Sequence, residues 1–86
     1  LEHRVPASLY RKIRVCVDHE HWAETESSCE TLFRLHHIRL QETFHHWNQA
    51  GRVDMDFQIR TRNNRQSGIL VAAISRMKGV TDVDWQ

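Results

Sequence analysis

The sequence predicts an α+β fold with four strands and two helices in the order β-α-β-β-α-β. Three observations carry it. Four stretches alternate apolar and polar residues with a period of two, and two others place apolar residues at helical spacing. At 86 residues there is room for one core and no second domain.

The first strand is Leu9 to Val17. Leu9, Ile13, Val15 and Val17 share one face, and Tyr10, Lys12, Arg14 and Cys16 share the other. Asp18 can cap a helix beginning near Glu20. From Trp22 the period changes, and Trp22, Cys29, Leu32, Phe33 and His36 form one stripe, with Leu35 off it. Glu24 and Glu26 sit toward the helix start, where the dipole favours acids.

Ile38 to Trp47 alternates again. Ile38, Leu40 and Phe44 are expected on one side with Glu42 and His46; Arg39, Gln41, Thr43, His45 and Trp47 are expected on the other. Asn48 to Gly51 is a turn, and Val53 to Arg60 is the clearest strand, so the two strands form a hairpin. Asn63 and Asn64 offer a cap for a second helix with Leu70, Ala73, Ile74 and Met77 inward, stopped by Gly79 at its C′ position. Thr81, Val83 and Trp85 then alternate with Asp82 and Asp84 as a last strand. A four-stranded antiparallel sheet with both helices on one face satisfies this order. Right-handed crossovers leave the ferredoxin-like arrangement.

Composition excludes several functions. Twelve Lys and Arg against eleven Asp and Glu give a net charge of +1, which argues against a basic arm or an acidic tail. No run of about 18 apolar residues spans a membrane, and no signal segment begins the chain. It begins Leu1-Glu2-His3 without Met, as expected of a piece of a longer protein. Cys16 and Cys29 are too few for a disulfide scaffold and are spaced wrongly for zinc, so both are expected as reduced, partly buried thiols in a cytosolic setting.

The face of the sheet away from the helices is the working surface. In the expected strand order the first and third strands are central neighbours, which brings Lys12 and Arg14 beside Asp54 and Asp56. Cross-strand charge pairs on a solvated face are the expected result. RNA-binding domains of this topology need stacking aromatics on those strands. Here stand Asp54, Asp56 and Gln58, with Tyr10 as the one aromatic candidate, so no nucleic-acid partner is expected. Seven histidines invite a metal reading, and His19 and His21 within Asp18-His19-Glu20-His21 are its best pair. The adjacent pairs His36-His37 and His45-His46 split between faces, and no closed tetrahedral set results. Neither a nucleophile elbow nor a phosphate-cradling glycine loop occurs. No enzyme, metal or cofactor is expected.

Several short motifs resemble one family. Tyr10-Arg11-Lys12-Ile13-Arg14-Val15, the strand from Gly51 to Asp56, and above all the ending Gly79-Val80-Thr81-Asp82-Val83-Asp84-Trp85 look like the C-terminal cytoplasmic domain of the MgtC/SapB family. The lead-in Leu1 to Pro6 resembles the basic linker after the family's membrane helices. The resemblance implies a linker over residues 1–8 from an absent N-terminal membrane domain, and an ACT-like domain over 9–86. It implies a regulatory or interaction module at the cytoplasmic face of a bacterial inner membrane, linked to virulence, survival in macrophages and growth in low magnesium. Its partners would be the protein's own membrane domain and other membrane proteins, including F-type ATP synthase. Tyr10, Lys12, Arg14, Asp54, Asp56 and Gln58 are the candidate interaction surface. The alternative is a dimerising ACT-type sensor of an amino acid or divalent cation, with Asp18, His19, Glu20 and His21 in the loop after the first strand. That loop lacks the glycine such sites use.

Overall fold

The computed structural model describes residues 8–86; of the expected linker, all but Ser8 lies outside them. Strand β1 runs Leu9–Asp18, helix α1 Trp22–Leu35, β2 Arg39–Trp47, β3 Arg52–Thr61, helix α2 Ser67–Ser75 and β4 Val80–Trp85, with a single 3-10 turn at Asn64–Gln66 before α2. The sheet order is β2-β3-β1-β4, and every neighbouring pair is antiparallel. This is the ferredoxin-like arrangement.

Burial follows the alternation of the two central strands. Ile13, Val15 and Val17 of β1 and Val53, Met55, Phe57 and Ile59 of β3 are buried with Cys29 and Phe33 of α1 and Leu70 and Ile74 of α2. The Phe33 and Phe57 rings meet edge to face at 5.3 Å, a geometry their quadrupoles favour. Burial pushes the Cys29 thiol up to about 12, helped by the Glu26 and Glu30 charges, so it stays protonated. Cys16 is half-buried, and both cysteines are free.

Two bulges correct the expected faces. On β2, Leu40 lies opposite Ile59 and Glu42 opposite Gln58, so Gln41 is one residue too many. An extra residue turns every later side chain to the other face. Phe44 and Glu42 therefore do not share a face with Leu40. Glu42, Phe44 and His46 lie opposite Gln58, Asp56 and Asp54 on the outer face, and Phe44 is exposed. Thr43, His45 and Trp47 turn toward α1 instead. There Trp22 packs edge to face on His45 and Trp47 at 5.3 and 5.0 Å, and His45 Nε2 donates to Glu26. On β4, Val80 lies opposite Val17 and Asp82 opposite Cys16, which makes Thr81 the extra residue rather than an inward one.

The helix caps also differ from expectation. α1 begins at Trp22, close to the expected start, but Asp18 is not its cap residue and caps the preceding turn instead. It ends on a left-handed residue, His37 (φ 57°). Ile38 N–H donates to the Phe33 carbonyl at 2.8 Å and His37 N–H to that of Arg34 at 3.2 Å. Ile38 and Phe33 are both buried and belong to the same core cluster. α2 ends at Ser75, so Gly79 is not its C′ residue but the last of the turn into β4.

Candidate functional site

The outer face of the sheet is organised around Asp56. β1 and β3 place Arg14 directly opposite it, and the guanidinium grips it with both prongs: Nε donates to Oδ1 at 2.8 Å and a terminal nitrogen to Oδ2 at 3.2 Å. Asp56 is only 5% exposed although it lies on the face without helices. Its strand neighbours are Arg14 on one side and Phe44, brought there by the bulge, on the other. His46 Nε2 stands 3.7 Å from Oδ2. The hydrogen bonds from Arg14 hold the carboxyl below the usual carboxylate range against the opposing effect of burial, with the charges of Arg14, Lys12 and His46 assisting.

The other candidates on this face are arranged less symmetrically than expected. Lys12 lies opposite Gln58, not a carboxylate, and Asp54 lies opposite Cys16. Asp84 is the β4 neighbour of Arg14, and Asp82 that of Cys16. Tyr10 is 65% exposed and lies opposite Arg60. Charge is thus sorted along the face. Asp54, Asp56, Asp82 and Asp84 gather around Arg14 at one end, while Lys12, Arg60 and Arg39 stand toward the other with Glu42 among them. Phe44 and His46 complete the surface, although the alternation of β2 assigns Phe44 to the core. The signal is the polar pair Gln41-Glu42, which interrupts the apolar alternation where the bulge sits.

Replacing Asp56 by Asn removes the charge and one acceptor while keeping the shape. We expect a loss of about 1–2 kcal/mol at neutral pH, since the Arg14 side chain is 44% exposed and solvent screens the pair. The sign of the pH effect follows from the depressed pKa. Stability from Asp56 is complete above the ordinary carboxylate value and disappears as pH falls through the lower folded value. Urea midpoints measured from pH 7 downward should therefore fall less steeply below about pH 4 in the variant than in the wild type. Parallel acid limbs would show that Asp56 has no part in acid unfolding.

The loop after β1 is differently built. Asp18 Oδ1 accepts from His21 N–H at 2.8 Å and from His21 Nδ1 at 2.6 Å. Burial raises Asp18, but these bonds outweigh it and leave the carboxyl lowered. His19 donates its backbone N–H to the Gly51 carbonyl at 2.9 Å, and its ring Nδ1 lies 3.1 Å from the same oxygen. Glu20 is exposed. The four residues do not converge on one point, because Asp18 and His21 bond each other and His19 bonds the neighbouring hairpin. Among the described residues no group of three or more His, Cys, Asp or Glu is placed to hold a metal ion. No helix among them is long and apolar enough to cross a membrane.

No protein-family model and no curated protein sequence matches the chain. Solved structures do. The solution structure of the C-terminal domain of the MgtC protein from Mycobacterium tuberculosis is similar over 99% of this chain and 92% of its own, at 14% identity and a TM-score of 0.83. The ACT domain of the GTP pyrophosphokinase of Chlorobium tepidum is similar over 92% of this chain and 86% of its own, at 14% identity and a TM-score of 0.72. An uncharacterised protein of Thermotoga maritima follows at 12% identity and a TM-score of 0.69, over 93% and 96%. At these identities the likeness is one of fold, and that fold is the ACT-like βαββαβ arrangement of the MgtC C-terminal domain.

Proposed function

We propose that the chain is the regulatory or interaction domain of an MgtC-like inner-membrane protein, acting through the outer face of its sheet at the cytoplasmic side. The observation that carries this reading is the overlap with the MgtC C-terminal domain over nearly the whole chain. The surface supports it. Phe44 and Lys12 lie beside a charge-paired Arg14–Asp56 centre, with Tyr10 further along β1, and this mixture of aromatic and charged groups suits a protein partner. In that reading Asp56 and Arg14 shape the surface while Tyr10, Lys12, Asp54 and Gln58 meet the partner. The partner would be the protein's own membrane domain or another membrane protein, F-type ATP synthase among them, and the role would lie in virulence, survival in macrophages and growth in low magnesium.

Growth in low magnesium tests it. Cells lacking the native gene receive the intact gene with Tyr10→Ala and Lys12→Gln together, which creates no like-charge pair, or with Glu24→Lys on the exposed side of α1. The outer-face pair should abolish rescue while the isolated domain melts as before, and the helix variant should rescue fully. Full rescue by the outer-face pair contradicts the proposal.

The likeness to ACT domains favours a second reading, ligand sensing through Asp18, His19, Glu20 and His21. Their mutual bonding weighs against it. Titration with amino acids and Mg²⁺ under NMR should leave the amides of residues 18–22 unmoved; saturable shifts there would reinstate this reading.

A further inference from the structure

A cavity of about 430 Å³ opens where α1 ends, β2 starts and β3 leaves the sheet. Every side chain lining it is polar, whereas small-molecule pockets are ordinarily lined mostly by apolar groups. Arg39, Arg60 and Arg62 supply three guanidinium groups, and His36, His37 and Gln66 supply further polar atoms. Among the described residues no carboxylate lines it. Among them, too, none of the three arginines has a carboxylate partner, in contrast to Arg14 at the other end of the same sheet.

The fold tolerates two unfavourable features at this place. Arg39 and Arg60 lie directly opposite each other on neighbouring strands, where like charges destabilise. His37 occupies a left-handed backbone position (φ 57°) that glycine fills without strain. The wall is also fixed in place. His36 Nδ1 donates to Gln66 Oε1 at 2.7 Å, and the Gln66 amide returns to the His36 carbonyl at 3.4 Å. Thr61, buried, is tied both ways to the Asn63 backbone at 3.1 and 3.2 Å.

We propose that this cavity binds a phosphoanion, either a free diphosphate-sized ion or the phosphate of an anionic lipid headgroup. Guanidinium forks match phosphate oxygens in pairs and lose less hydration than ammonium groups do. The cavity is roomier than one phosphate needs, which suits a diphosphate or a headgroup phosphate. An anion between Arg39 and Arg60 turns their repulsion into a shared attraction. The site is at the opposite end of β1 from the Asp18–His21 loop.

Sodium diphosphate is the first probe, titrated into the 86-residue chain with amide shifts as readout. Saturable shifts are expected at His37, Arg39, Arg60 and Arg62. Arg39→Gln and Arg60→Gln should each weaken binding about tenfold. Both variants should melt no lower than the wild type, because each relieves the like-charge pair. Arg76→Gln, beyond the end of α2, should bind as the wild type does. Vesicles of phosphatidylglycerol, with phosphatidylcholine as control, separate the two sources. Sedimentation with the anionic vesicles that diphosphate reverses assigns the site to a headgroup, and diphosphate shifts without sedimentation assign it to a free ion. No shift at these residues together with no sedimentation overturns the proposal. So does binding that Arg76→Gln weakens as much as Arg60→Gln does.

Discussion

Phe57→Ala is expected to cost about 3–5 kcal/mol, more than any other substitution proposed for this chain. Phe57 is fully buried in the middle of β3 and meets Phe33 of α1 edge to face. Truncation removes the transfer free energy of the ring, forfeits the contact with Phe33, and leaves a cavity between a strand and a helix that are both held elsewhere. A domain of this length has roughly 4–13 kcal/mol in total at the usual 0.05–0.15 kcal/mol per residue. At the lower end of that range the variant is near its unfolding midpoint, and at the upper end it keeps a reduced margin. Urea unfolding followed by Trp fluorescence checks it, with Phe57→Leu as the milder companion that keeps most of the volume. A loss under about 1 kcal/mol for Phe57→Ala would mean that the helix layer does not pack on β3 as described.

Gly79→Ala should cost about 2–3 kcal/mol although it adds a single methyl group. Gly79 has φ 85°, where a Cβ is strained in any surroundings. The surroundings are also full, since the added carbon would stand 2.8 and 2.9 Å from the Asp18 carboxylate oxygens and 2.9 Å from His21 Nδ1. Those atoms cannot simply swing away. Asp18 holds His21 through two hydrogen bonds, and Asp18 N–H donates to the Gly79 carbonyl at 3.1 Å. The turn before β4 and the turn before α1 thus share one tight junction. Gly68→Ala is the control. Gly68 lies in the first turn of α2 with open space around its missing Cβ, so alanine should stabilise by about 0.5–1 kcal/mol through helix propensity. Equal effects at the two glycines would contradict the junction.

The sequence makes some elements plain and hides others for identifiable reasons. β1 and β3 are central, covered on one side by helices, and keep strict alternation, so their inward residues and the Arg14–Asp56 neighbourhood follow from pattern and strand order alone. β2 and β4 are edge strands, and each carries a bulge. One inserted residue, Gln41 or Thr81, reverses the face of every later side chain on its strand without changing composition. That is why Phe44, expected inside from its alternation, stands outside. Gly79 marks a real positive-φ turn, but the helix stops four residues earlier, because the chain takes the turn in two steps through Met77 and Gly79. The basic cavity is hidden in the sequence for a different reason. His36, His37 and Arg39 are separated by about twenty residues from Arg60 and Arg62, and only the hairpin register brings Arg39 across from Arg60. A near-neutral total charge conceals that four aspartates gather at one end of the face while Arg39 and Arg60 meet at the other.

Whether the outer face of the sheet, rather than the helix layer, meets the partner is tested most directly by site-specific photo-crosslinking. The experiment uses membranes of cells making the intact gene product. One crosslinker stands at Tyr10 or Phe44 on the outer face. Another stands at Leu35 or Ile69, the large exposed apolar residues of the helices. Adducts with a membrane protein, or with the chain's own membrane domain, are expected from Tyr10 and Phe44 and none from the helix positions. Adducts from Leu35 or Ile69 with none from the outer face would contradict the assignment of the outer face as the docking surface.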